Sequence, residues 1–98
     1  MLSTIVEAIR NKEILDIGYE PGARLIEPHC LGHSADGNIL LRAYQISGAS
    51  ASGEPSEWKL FRLDRMFRAT SFGQKFRGPR TGYNPNDPAM KRRIIARL

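Results

Sequence analysis

Apolar residues recur along this chain with two different periods, and the change from one to the other marks the first element boundary. Leu2, Ile5, Val6 and Ile9 fall at i, i+3, i+4 and i+7, so they share one face of a short amphipathic helix. Thr4 stands at capping-box spacing from Glu7, with Ser3 as a competing N-cap, and Arg10 and Lys12 suit the negative end of the helix dipole. From Ile14 the period is two: Leu15, Ile17 and Tyr19 alternate with Asp16, Gly18 and Glu20 until Pro21-Gly22 imposes a turn. A second extended run, Ala23 to His33, contains Pro28, which lacks a ladder donor and predicts a bend or bulge near Glu27-Pro28. Asp36-Gly37 supplies a tight turn with positive φ, and Asn38 to Ile46 is the most apolar strand of the chain. Its faces divide as Ile39, Leu41 and Ala43 against Leu40, Arg42, Tyr44 and Ile46.

Ser47 to Glu57 is a Gly/Ser/Ala loop with few apolar side chains to bury, and it is expected to be mobile. Trp58 to Leu63 and Met66 to Phe72 resume strand-like sequence on either side of Asp64-Arg65. One helix and five short strands place the chain in a mainly β (α+β) class, and so few residues predict closure into a small five-stranded barrel. Beyond Gln74, the residues Gly78, Pro79, Gly82 and Pro85 exclude regular structure until Asp87-Pro88, an N-cap followed by proline at the first helical position. A C-terminal helix is therefore predicted, with Met90, Ile94 and Leu98 in one stripe and Arg92, Arg93 and Arg97 on the other side. The expected organisation is a barrel domain over residues 1–76 and an extended basic tail over 77–98 ending in that amphipathic helix. The stripe needs a cover, which is the barrel itself, a partner protein or a second copy of the chain.

A length of 98 residues allows one modest core. No run approaches the ~18 apolar residues that read as a membrane span, and no basic-then-apolar leader opens the chain. A lone cysteine, Cys30, also points to a cytoplasmic protein, and the short basic helix would be a weak anchor, so no membrane association is expected. The net charge of +5 is unevenly spread: residues 1–57 carry four Lys/Arg against eight Asp/Glu, residues 58–98 eleven against two. The halves are thus −4 and +9, and the basic half predicts contact with phosphates or an acidic partner.

Four stretches, Ile17-Gly18-Tyr19, Arg24-Leu25-Ile26-Glu27-Pro28-His29, Ile39-Leu40-Leu41-Arg42-Ala43-Tyr44 and Phe61-Arg62-Leu63-Asp64-Arg65-Met66, resemble the WYL domain of bacterial regulators over about residues 2–76. The Trp-Tyr-Leu triplet that names the family falls on Ile39-Leu40-Leu41, so only its leucine is kept. The resemblance implies an Sm-like barrel and a part in sensing or transcription regulation through nucleotides, nucleic acids or other anions. Family members usually carry a winged helix-turn-helix ahead of this domain. One short helix stands in its place here, which leads us to expect a free-standing sensor module.

The candidate ligand-binding residues are Arg42, Arg62, Arg65, Tyr44, His29, Arg24 and Tyr19. Arg62 and Arg65 offer planar guanidinium forks that match phosphate oxygens, the alternative being a local ion pair with Asp64. Arg42, inside an apolar strand, needs either an anionic ligand or a salt bridge to Glu27 or Asp64. Tyr44 shares the Arg42 alternation and is the favoured stacking face, whereas Tyr19 shares a face with Leu15 and Ile17 and is better placed for the core. Arg24 belongs to the family-like Arg-Leu-Ile-Glu-Pro-His stretch. Trp58, beside the long loop, fits a barrel lid with stacking as the alternative. His29 either donates to an anion, with pH sensitivity, or is a buried hydrogen-bonded histidine. Metal binding is not expected, because His29 and Cys30 should point to opposite faces of a strand. No paired carboxylates, Gly-rich phosphate loop or activated nucleophile suggests an enzyme or a cofactor.

Overall fold

The longest strand organises the molecule. The computed structural model describes residues 1–53 and 57–98. In chain order it comprises helix α1 (Leu2–Asn11) and strands β1 (Glu13–Tyr19), β2 (Gly22–His33), β3 (Ile39–Gly48), β4 (Glu57–Arg62), β5 (Arg68–Lys75) and β6 (Arg93–Arg97). A 3-10 turn, Leu63–Arg65, links β4 to β5. Along one edge β2 pairs with β3; along the other its first half pairs with β1 and its second half with β6, all antiparallel. The sheet order is β4-β3-β2-β1-β5, with β6 attached to β2.

On the inner face, Ile5, Ala8 and Ile9 of α1 pack on Leu15, Ile17, Ile26, Leu31, Leu41, Ala43 and Phe61. Each such aliphatic side chain contributes about 1.5–3 kcal/mol when fully buried, so this face carries the fold. On the outer face a smaller cluster joins Cys30 and Leu40 to Met90, with Tyr83, Ala89 and Ile94 against it. The tail supplies those last four residues, and β2 is consequently buried on both faces from Ile26 to Gly32. The bulge expected near Pro28 is present, as a register shift against β3 between Pro28 and Cys30. So is the positive φ at Gly37.

The helix opens two to three residues earlier than its expected caps: Met1 is the N-cap without a side-chain bond, and Ser3 and Thr4 lie inside the helix. Leu2 is exposed and Ala8 takes its place on the buried face. The loop expected between 47 and 57 is shorter, because Ser47 and Gly48 extend β3; residues 54–56 and the mobility assigned to them lie outside the described residues.

Two larger expectations are corrected. The sheet is open, not an Sm-like barrel: among the described residues no ladder joins β4 to β5. Side chains of β1 and β2 meet β4 without a ladder. The Tyr19 ring meets Phe61 edge-on at 4.9 Å, the Arg62 N–H donates to the Tyr19 hydroxyl at 3.2 Å, and the Arg24 guanidinium lies over both rings.

Second, the C-terminal helix is a strand. Asp87 does cap, since its Oδ1 accepts the Ala89 N–H at 3.0 Å and its carbonyl the Met90 N–H at 3.1 Å, but only one turn follows. Pairing with β1 stops at Ile26, which leaves the far half of β2 with an unpaired edge inside the fold; Arg93–Arg97, with two adjacent β-branched isoleucines, completes it. The Met90, Ile94 and Leu98 stripe is thereby divided. Met90 and Ile94 join the outer cluster and Leu98 the inner one, so these side chains present no helical docking face. Among the described residues no helix is long and apolar enough to cross a membrane.

Candidate functional site

The outer face of β2–β4 gathers most of the candidate residues. In the β3–β4 ladder Tyr44 stands opposite Trp58, Arg42 opposite Leu60 and Leu40 opposite Arg62, so Arg42, Tyr44, Trp58 and Arg62 share one face. His29 borders this face because the β2 bulge makes it the extra residue of the strand. The bulge also corrects the expectation that His29 and Cys30 face opposite ways: both side chains contact the Tyr83 cluster on the outer side. Among the described residues no group of three His, Cys, Asp or Glu converges as a metal site. Burial pushes the Cys30 thiol up to about 11, with the Asp87 charge adding to the rise, so it is an unreactive apolar filler.

Residues 76–92 cross this face between β5 and β6 and supply the partners that local sequence did not reveal. Arg42 makes a two-point ion pair with Asp87, Nε to Oδ2 at 2.8 Å and Nη2 to Oδ1 at 3.3 Å. The Asp87 side chain is 4% exposed and that of Arg42 30%. Burial alone would raise the Asp87 pKa, but the Arg42 hydrogen bond, the Ala89 N–H and the Arg42 charge outweigh it and hold the carboxyl below its usual range. Arg80 forks onto Glu27 at 2.8 and 3.2 Å, and its guanidinium lies 4.4 Å from the centre of the Tyr44 ring. The Arg80 backbone N–H donates to His29 Nε2 at 3.1 Å, so Nδ1 carries the proton that bonds the Glu27 carbonyl at 2.8 Å. Burial is the main cause that lowers the His29 pKa, and the imidazole is neutral between Trp58, Phe76 and Tyr83.

A cavity of about 200 Å³ opens between this segment and β3–β4, lined by Arg42, Trp58, Tyr83, Asn84, Asp87 and Pro88, with Gly82 at its rim. The Trp58 and Tyr83 rings are near parallel, 22° apart with centroids at 6.4 Å, and the Trp58 N–H donates to the Thr81 carbonyl at 3.2 Å. A cavity of about 150 Å³ accommodates benzene, so this one has room for a single ring-sized group. Beside it lies a more polar depression of about 420 Å³ lined by Lys75, Arg77 and Arg80 with Glu27.

The other candidates lie apart from the cavity. Arg62 is bidentate on Asp64 at 3.0 and 2.6 Å, the local pair that the sequence offered as its alternative. Arg65 is exposed on the 3-10 turn, with no carboxylate within salt-bridge distance among the described residues. Arg24 is buried at the β1–β2 hairpin, where Nε donates to the Tyr19 carbonyl, Nη2 to the Glu20 carbonyl and Nη1 to Gln45 Oε1. Arg24 and Tyr19 thus pack against Phe61, away from the Arg42 cavity. The missed residues are Asp87, Tyr83, Arg80 and Asn84. Residues 58–98 hold only two acids, Asp64 and Asp87, and counting them as counter-charges for Arg42 was the one available signal.

A family model for the WYL domain matches residues 1–71. The chain belongs to the WYL-domain family. WYL domains are in general regulatory, ligand-sensing domains rather than catalytic ones. Comparison with curated proteins and with solved structures gives no match. The match ends inside β5, so the tail that closes the cavity of this WYL domain lies beyond the matched residues.

Proposed function

We propose that this WYL domain is a non-enzymatic sensor that binds an anionic ligand, a nucleotide or a single-stranded nucleic acid, in the cavity between β3–β4 and the tail. The observation that carries the reading is Arg42: a guanidinium in an apolar strand, partly open to a ring-sized cavity walled by Trp58 and Tyr83. A base stacked on such rings gains about 1–3 kcal/mol, and a guanidinium fork matches phosphate oxygens in geometry and charge. Lys75 and Arg77 in the adjoining depression extend positive potential along the path a phosphodiester chain would follow.

The test replaces Arg42 by Gln in a chain that already carries Asp87→Asn, so that no buried carboxylate is left without its counter-charge. Relative to Asp87→Asn alone, the double variant should bind a short fluorescein-labelled oligothymidylate, or AMP, about 10- to 100-fold more weakly, the worth of a charge-assisted hydrogen bond. The salt dependence of oligonucleotide binding should lose about one unit of log–log slope for the lost phosphate contact. Equal affinities in a folded pair of variants would refute the reading.

A further inference from the structure

The segment that walls the cavity also neutralises it. Asp87 meets Arg42 with the same two-point geometry that a phosphate or carboxylate of a ligand would use, and it is almost wholly buried in doing so. With this pair in place, the guanidinium at the cavity has no spare charge to offer. Residues 76–92 contain no helix or strand. The first part of this segment is pinned by Arg80 on Glu27 and His29, the Thr81 carbonyl on Trp58 and the Tyr83 hydroxyl on the His29 carbonyl. Its second part is held by Asp87 on Arg42, Arg97 on the Pro85 carbonyl, the Arg92 N–H on the His33 carbonyl and Met90 against Cys30 and Leu40. Both flanks are held far more firmly. Strand β5 is laddered to β1, while β6 is laddered to β2 and packs its Ile95 and Ala96 into the inner core.

We propose that residues 84–92 form an autoinhibitory strap in which Asp87 occupies Arg42 as a built-in anion, so that ligand binding and strap release are one equilibrium. This inference rests on the ligand reading above. Local opening of a segment without ladder or helix costs less than global unfolding even though it exposes Met90, and the anchored flanks allow the strap to lift while the sheet persists. Lifting frees the Arg42 fork, while Tyr83, whose hydroxyl donates to the His29 carbonyl, stays opposite Trp58 as the stacking wall. The apparent dissociation constant is the intrinsic one divided by the fraction of open strap, so the affinity of the domain is set by how well Asp87 competes. The strap lies outside the residues that the WYL model matches.

The experiment measures oligothymidylate and AMP affinity for the wild-type chain, Asp87→Asn and Arg42→Gln/Asp87→Asn, together with amide exchange at Ala89 and Met90, whose N–H groups bond Asp87. Asp87→Asn should bind about tenfold tighter than wild type, because the charged competitor is gone. In the wild-type chain, which needs no variant to fold, ligand should speed exchange at Ala89 and Met90 and leave Leu98, bonded to the His29 carbonyl, protected. If Asp87→Asn binds no tighter, or ligand slows exchange at Ala89 and Met90, while Arg42→Gln still weakens binding, the strap falls and the ligand reading stands. If no variant binds either probe, the ligand reading itself falls and takes the strap with it.

Discussion

Gly32→Ala probes the seat of the tail on the sheet. A Cβ at Gly32 would lie 2.5 Å from the Arg93 carbonyl oxygen, 2.5 Å from Met90 Cγ and 2.9 Å from Met90 Cβ. The end of the methionine can rotate away. The carbonyl cannot, because Arg93 is paired with His33 in the β2–β6 ladder, so β6 has to shift and loosen its hold on the inner core. Overpacking of this kind costs about 1–3 kcal/mol, and an obstacle made of backbone places the substitution in the upper part of that range. At about 4–8 °C per kcal/mol for a domain of this size, the melting temperature should fall by roughly 10–20 °C. Gly22→Ala is the control: its Cβ would meet only the Ala49 Cβ at 3.4 Å, so its effect should be near zero or slightly favourable through a stiffer unfolded chain. Thermal unfolding followed by circular dichroism gives the shift. Amide exchange at Arg92 and Leu98, which bond the His33 and His29 carbonyls, reports whether the tail goes first. A Gly32→Ala protein that melts within about 3 °C of the Gly22→Ala control would refute the packing argument.

Two further outcomes follow from the site. The pKa of His29 is lowered below its ordinary 6.5, chiefly by burial, so the folded chain keeps the ring neutral while the unfolded chain protonates first. Stability is then complete above that ordinary value and declines as pH falls through it toward the lowered one, with a slope of at most about 1.4 kcal/mol per pH unit. Urea unfolding across pH 5 to 8 should show this decline in wild type and not in His29→Gln; identical profiles would exclude His29 as its source. The low pKa of Asp87 adds a separate loss, reached only as pH drops below its ordinary 3.8. Arg24→Met should cost about 2–4 kcal/mol, because the Tyr19 and Glu20 carbonyls and Gln45 Oε1 lose their donor, and it should leave oligonucleotide affinity unchanged. A stable Arg24→Met protein with weakened binding would move Arg24 from the hairpin's support into the ligand site.

Much of the sheet was legible because local pattern and tertiary environment agree there. Period-two alternation placed β1, β3 and β4 within a residue or two, Pro28 announced the bulge, and the WYL-like stretches lie in the matched region. The candidate site was legible only in part. Arg42 and Tyr44 could be chosen from their shared strand face, and a salt-bridge partner for Arg42 was expected. The partner itself stands 45 residues away in sequence, and nothing local to either residue joins them. Arg24 was misleading for the opposite reason, since its sequence neighbourhood is family-like while its three donors are spent on the hairpin and Gln45.

What the sequence determined by itself is the set of elements whose burial repeats with a local period: the amphipathic helix and the first five strands. What only the tertiary structure decided is how the sheet ends and what covers it. Asp87-Pro88 and the Met90, Ile94, Leu98 spacing satisfy every local rule for a helix, yet the unpaired half of β2 offers five residues a ladder, and that vacancy exists only once β1 has stopped pairing at Ile26. Closure likewise depends on whether two distant edges, β4 and β5, can meet, and no local pattern fixes that. A propensity worth a few tenths of a kcal/mol per residue cannot outweigh a row of buried backbone groups that need partners.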